Sequence, residues 1–122
     1  MGDGVDEIRM PAGTLVTAAS VELEHVPVEA DQIVAGAPTT GHLVLDDSHG
    51  RTIGVWEMTP GAMRDVEDDE VFVVLAGAAT VEFEHPTMAE IVLAPGSVVR
   101  LDAGMRTLWT VRQTLRKVYV SP

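Results

Sequence analysis

The sequence predicts an all-β protein, a sandwich or barrel with little or no helix. Turn signals built from Gly, Pro, Asp, Ser and Thr recur at short, regular intervals, at 37–41, 46–51, 59–61, 84–87, 94–96 and 102–104. Short runs rich in Val, Leu, Ile and Thr lie between them, as in β-sandwiches and barrels. No stretch sustains a helical period, since Pro27 interrupts the best candidate and its Val/Glu alternation is typical of a strand.

Nine runs have the length and composition of strands. In chain order they are 14–18, 42–46, 52–58, 70–76, 79–84, 90–94, 97–101, 108–112 and 116–120. Alternation in 79–84 puts Val81 and Phe83 on one face and polar residues on the other, which indicates one solvated face. Run 70–76 is apolar on both faces, so one face fills the core and the other needs a second sheet or subunit. We therefore expect a homodimer.

Composition limits the class of protein. A chain of 122 residues with 46% hydrophobic residues suits one domain with a substantial core. The absence of cysteine excludes disulfides, thiolate metal sites and a cysteine nucleophile. A net charge of -11 argues against nucleic acids and anionic membranes as partners. The acidic N-terminus has no apolar signal region and no run reaches membrane-span length, so we expect a cytoplasmic protein.

Residues 54–120 resemble a known family. The stretches GVWEMTPGAMRDVEDDEVFVVLAG, at 54–77, and LAPGSVVRLDAGMRTLWTVRQTLRKVYV, at 93–120, resemble the cupins, small double-stranded β-helix jelly rolls. Within the cupins they are similar to small single-domain proteins related to the cupin domain of (S)-ureidoglycine aminohydrolase. The resemblance implies one cupin-type barrel over 1–122, with residues 1–40 as edge strands or a dimer arm.

The metal ligands of the cupins are not reproduced. By the resemblance, Glu70 stands at the ligand glutamate, but the two neighbouring histidine places fall within 63–66 and the third falls at Thr107. A single carboxylate does not hold a transition metal, which takes three or four N or O ligands. The four histidines, His25, His42, His49 and His85, are interpreted as structural, and the acidic run 67–70 as a solvated turn. We expect no metal and no cofactor, with a relocated metal site as the alternative.

The interior of a small barrel is the expected ligand pocket. If the face of the last strand that carries Lys117 and Tyr119, rather than the face with Arg116, points inward, alternation brings polar and aromatic side chains to this pocket, with Glu70 as a candidate general base and Tyr119 as a proton donor. The candidate pocket residues are Trp56, Arg64, Glu70, Thr107, Trp109, Lys117 and Tyr119. Two alternatives stay open: Glu70 as the partner of Lys117 or Arg116 in a buried ion pair, and Arg64 in a rim salt bridge with Asp65, Asp68 or Asp69.

Three functions are compatible with the sequence. The first is a metal-free small cupin that binds a small polar metabolite in the barrel interior. The second is an enzyme, a hydrolase or isomerase, that uses Glu70-centred acid-base chemistry in the same pocket or a relocated metal site. The third is a structural dimer with a packed barrel and no cavity.

Overall fold

Antiparallel strands make up the regular structure of residues 7–122, the part of the chain that the computed structural model describes. Besides the strands, these residues form one short 3-10 turn at Ser48–Gly50 and no α-helix. The all-β prediction is therefore confirmed. The strands are β1 (His25–Pro27), β2 (Ile33–Ala35), β3 (Thr39–Asp46), β4 (Thr52–Met58), β5 (Gly61–Val66), β6 (Glu70–His85), β7 (Met88–Leu93), β8 (Val98–Leu101) and β9 (Arg106–Ser121).

The long strand β9 organises the sheet. Its first half pairs with β5 and its second half with β4, while β6 runs along its other side. Strand order is β1-β3-β4-β9-β5-β2, and β6 also pairs with β7 and β8. The sheet curls around one apolar core, as in a barrel. The largest fully buried side chains in it are Trp109, Phe72, Met58, Leu93, Leu101 and Leu115.

Two pairs of predicted strands are single bent strands. The prediction of separate strands was wrong here: 70–76 and 79–84 form β6, and 108–112 and 116–120 form β9. The bend in β6 lies at Gly77, whose φ is 101° and where an added Cβ would lie 2.2 Å from the carbonyl oxygen of Thr114. The chain therefore turns sharply at a glycine without leaving the ladder, and irregularities of register on both sides of it absorb the bend.

The N-terminal segment contains less strand than predicted. Residues 14–18, predicted as a strand, form none, and β1 and β2 are short strands at the two ends of the sheet. The segment is instead bound by a side chain: Arg116 Nη1 donates to the carbonyl oxygens of Ala18 and Val21 at 2.9 and 2.7 Å. Side-chain donors thus replace ladder partners. Residues 1–6 of the predicted arm lie outside the described residues.

The two faces of β6 differ as the alternation predicts. Phe72 and Val74 are 1% exposed, whereas Val71 and Val73 on the opposite face are 41% and 37% exposed. The outer face is thus apolar and uncovered by the described part of the chain. No helix of the described residues is long and apolar enough to cross a membrane.

Candidate functional site

A cavity of about 220 Å³ lies inside the curl of the sheet, between β4, β5, β6 and β9. At the liquid volume of about 30 Å³ per molecule it would hold roughly seven waters, which is the size of a small metabolite. The packed barrel without a cavity does not match this structure. The cavity is lined by His42, Trp56, Asp65, Glu67, Asp68, Glu70, Trp109, Lys117, Tyr119 and Ser121.

A buried ion pair joins Lys117 to Glu70 at the cavity. Lys117 Nζ lies 2.7 Å from Glu70 Oε2, and the two side chains are only 5% and 14% exposed. The ammonium also lies 4.2 Å from the ring centroid of Phe72 and within 5.0 Å of both tryptophan rings, a cation-π arrangement. Of the two neighbours left open by the sequence, Lys117 faces the interior and Arg116 binds Glu57 on the other side.

Glu67 is the most buried acid of the cavity, 6% exposed. Its Oε2 accepts hydrogen bonds from Thr107 Oγ1 at 2.6 Å and from Trp109 Nε1 at 2.9 Å. The interpretation of 67–70 as a solvated turn is therefore wrong for Glu67. Gly61, Arg64 and Asp65 gave the preceding stretch the composition of a turn, so β5 was not predicted. One signal could have indicated that Glu67 points inward: Met63, Asp65 and Glu67 are two residues apart, and in an extended chain residues at this spacing share the face of buried Met63.

Asp65 is the second acid that the sequence analysis missed. Burial, and then the negative charge of Glu67, raise the pKa of Asp65 from 3.8 to about 6. Its Oδ1 accepts a hydrogen bond from the Val66 amide at 2.9 Å. Asp65 thus belongs to the cavity and not to a salt bridge with Arg64. A carboxyl group that titrates close to neutral pH is typical of functional sites.

Aromatic rings form the other wall. Trp56 and Trp109 lie with ring centroids 5.6 Å apart and planes tilted by 56°. Tyr119 packs over Gly54, where an added Cβ would lie 2.4 Å from the phenol oxygen, so the glycine makes room for the ring. Burial, and then the charge of Glu70, raises the pKa of Tyr119.

The predicted pocket residues fall into three groups. Five of them line the cavity: Trp56, Glu70, Trp109, Lys117 and Tyr119. Thr107 is fully buried behind it and contacts it through Glu67. Arg64 does not reach it, because its guanidinium points outward and pairs with Glu84 at 3.1 Å. Arg64 is therefore removed from the candidate pocket; its partner is Glu84 and none of the three predicted acids.

The histidines are dispersed. His49 and His85 are exposed, and His25 bonds to Glu57 at 2.7 Å. His42 alone lines the cavity. Among residues 7–122, no three His, Cys, Asp or Glu side chains are grouped so as to bind a metal ion.

The donors present do not fit a metal of the cupin type. The Glu70 carboxylate, which the resemblance places at the ligand position, is bound by an ammonium at 2.7 Å. A metal ion there would meet the positive charge of Lys117 at short range, and imidazole donors do not surround it. The geometry therefore offers acid-base and charge recognition through Asp65, Glu67 and Lys117 rather than ligation.

Comparison with solved structures supports the same fold. The EutQ protein of Clostridium difficile is 18% identical with a TM-score of 0.69, covering 98% of this chain and 96% of that one. A cupin superfamily protein of Desulfitobacterium hafniense is 14% identical with a TM-score of 0.60, covering 93% and 94%. A protein of unknown function from Pseudomonas syringae pv. tomato is 20% identical with a TM-score of 0.70 over 85% of this chain. This chain covers 46% of that protein, about half its length.

These likenesses confirm the predicted cupin jelly roll as the fold. No curated protein matches the chain. A family model described as the EutQ-like cupin domain matches residues 45–119, more than half of the sequence. The matched region begins at the end of β3 and includes β4, β5, β6 and all of β9 except its last two residues. The chain therefore belongs to the EutQ-like cupin domain family.

Proposed function

We propose that this protein is a metal-free cupin that binds a small polar metabolite in the cavity between β4, β5, β6 and β9. The observation that carries the proposal is the Lys117–Glu70 contact of 2.7 Å beneath the aromatic wall. It supplies a fixed internal cation where a cupin metal would lie by the resemblance. The remaining acids, Asp65 and Glu67, and the Tyr119 hydroxyl are left to orient a ligand.

Elemental mass spectrometry on protein purified without an affinity tag tests the metal-free part. We expect Mn, Fe, Ni and Zn at background level both in the wild type and in Glu70→Gln. Near-stoichiometric metal that falls in Glu70→Gln would overturn the proposal and favour a relocated site. With metal at background, ligands are then sought by thermal shift, with Glu82→Gln, an exposed acid on β6, as the matched control for Glu67→Gln.

The alternative is an enzyme, a hydrolase or isomerase of the ureidoglycine aminohydrolase-like cupin group. One observation favours it: Asp65, with its pKa raised to about 6, faces the cavity and suits general acid-base catalysis near neutral pH. Glu70 suits that role less well, because Lys117 holds its carboxylate. Ammonia release from (S)-ureidoglycine that is lost in Asp65→Asn would establish the enzyme, whereas the binding proposal expects no release.

We also propose a cytoplasmic homodimer. Support comes from the uncovered outer face, where Val73 pairs with Val98 and Val71 with Val120 across three neighbouring strands. Val98 is 67% and Val120 is 43% exposed, and contiguous apolar surface of this kind is typical of interfaces. Light scattering after size exclusion should give twice the mass of 13.0 kDa, and Val98→Lys should shift it toward the monomer. A wild-type monomer at 100 µM would refute the dimer.

A further inference from the structure

The charges at the cavity do not balance. Four carboxylates line it, those of Asp65, Glu67, Asp68 and Glu70, against one ammonium, that of Lys117. Lys117 is committed to Glu70 at 2.7 Å and is covered by three aromatic rings. The negative charge of Asp65 and Glu67 therefore has no cationic partner among the described side chains. His42 is the one other cavity residue able to carry positive charge, and it is exposed.

Oxygen atoms at the cavity also lack donors. Both hydrogen bonds to Glu67 end on Oε2, and Oε1 accepts none from the described residues. No side-chain nitrogen or oxygen buried within residues 7–122 lacks a partner, so Glu67 Oε1 must reach the cavity although the residue is only 6% exposed. Asp65 is similar, since its single bond from the Val66 amide ends on Oδ1. Two carboxylate oxygens, one at the end of β5 and one directly after it, are thus free to accept hydrogen bonds from a ligand.

The wall that adjoins these acids is apolar and electron-rich. The indoles of Trp56 and Trp109 line the cavity, and their π faces attract cations as well as carbon chains. An anionic ligand would instead meet the unbalanced carboxylates of the cavity at short range, where like charges repel.

From these contacts we propose that the ligand is a small organic cation, a primary amine whose ammonium group lies between Asp65 and Glu67 with its carbon chain against the tryptophans. The inference rests on the proposed binding function and specifies its ligand class. Lys117 then acts as the fixed counter-charge of Glu70. Only Asp65 and Glu67 are therefore left to pair with the positive charge of the ligand. Neutral compounds of equal size lack the charge that pairs with these two acids and anionic ones are repelled by them, so both should bind more weakly than the amine.

Intrinsic fluorescence provides the assay, because Trp56 and Trp109 are the only tryptophans of the chain and both line the cavity. The probes are matched primary amines, alcohols and carboxylates of two to five carbon atoms, titrated at pH 7.5 and constant ionic strength. We expect the best amine to bind at least tenfold more tightly than the alcohol and carboxylate of the same length. Glu67→Gln and Asp65→Asn should each weaken amine binding tenfold or more, and Glu82→Gln should leave it unchanged.

The outcomes separate the two proposals. Alcohols or carboxylates that bind as tightly as the amines would overturn the cation inference and leave the binding function standing. A preference for amines over alcohols and carboxylates that persists in both Asp65→Asn and Glu67→Gln would also overturn it, because the two acids would then not be the groups that bind the ammonium. No response to any probe up to 100 mM would count against both proposals. Circular dichroism identifies a variant that fails to fold, and the other variant then carries the test.

Discussion

Asp65→Asn should make the protein more stable at neutral pH while removing a cavity acid. Burial and the neighbouring charge of Glu67 raise the pKa of Asp65 from 3.8 to about 6, against a smaller opposing effect of Lys117 and with a further small increase from Glu70. Between these two values the folded protein holds a proton that the unfolded chain has released. The free energy of unfolding therefore falls as pH rises through this window, and above it the ionised carboxyl destabilises the folded state fully.

The magnitude follows from the pKa difference. One pKa unit corresponds to about 1.4 kcal/mol, so ionisation of Asp65 costs the folded state at most about 3 kcal/mol at pH 7.5 and about 0.5 kcal/mol at pH 4. Asparagine fills the same space without the charge and still accepts the hydrogen bond from the Val66 amide. With a discount for partial solvent access, Asp65→Asn should gain about 1 to 3 kcal/mol at pH 7.5.

Urea unfolding followed by tryptophan fluorescence at pH 7.5, 6 and 4 measures this effect. The gain should shrink steadily as pH falls and nearly vanish at pH 4. Glu82→Gln, which removes an exposed acid from β6, is the control and should change stability little at any of the three pH values. A variant no more stable than the wild type at pH 7.5, or a gain that does not depend on pH, would refute the reasoning.

Three further variants test the site and its support. Lys117→Met leaves Glu70 buried without its partner and should lower the free energy of unfolding in urea by about 3 kcal/mol. The double variant with Glu70→Leu should recover part of that loss. An equal loss of stability in the single and the double variant would contradict the ion pair. Gly54→Ala brings a methyl group to 2.4 Å from the Tyr119 oxygen and should weaken ligand binding. Gly50→Ala strains the backbone at a φ of 73° but adds its methyl group in open space outside the cavity, so it should leave binding unchanged. Arg116→Met removes the donors to two carbonyls of the N-terminal segment and should speed proteolysis of that segment. Cleavage at the wild-type rate would disprove this prediction.

The fold could be predicted because its signals are local. Turn residues between short β-branched runs define strands wherever one face is buried, and the alternation of run 70–76 correctly separated buried Phe72 and Val74 from exposed Val71 and Val73. Bends were not predictable in the same way. Gly77 interrupts the run like a turn, yet β6 continues through it to His85, with its backbone close to that of Thr114 on β9.

The candidate site could be predicted in part. The cupin resemblance and strand parity together indicated Glu70, and parity placed Lys117 and Tyr119 on one face of the last strand without deciding whether that face points inward. Asp65 and Glu67 were missed because the composition of their stretch is typical of a turn, and Arg64 was included because it stands near a histidine position of the cupin resemblance. Its side chain in fact points to Glu84 on the outside.

By itself, the sequence determined the all-β class and the alternation of side chains along the strands, but it left open whether Lys117 or Arg116 faces the interior. Only the tertiary structure decided that Lys117 pairs with Glu70 across 47 residues and that Glu67 meets Thr107 and Trp109 across 40 and 42. The physical reason is that parity assigns a side chain to a face, whereas an ion pair or a shifted pKa depends on which other strands share that face. Those partners are set by strand register, which the long pairing of β9 with β4, β5 and β6 establishes.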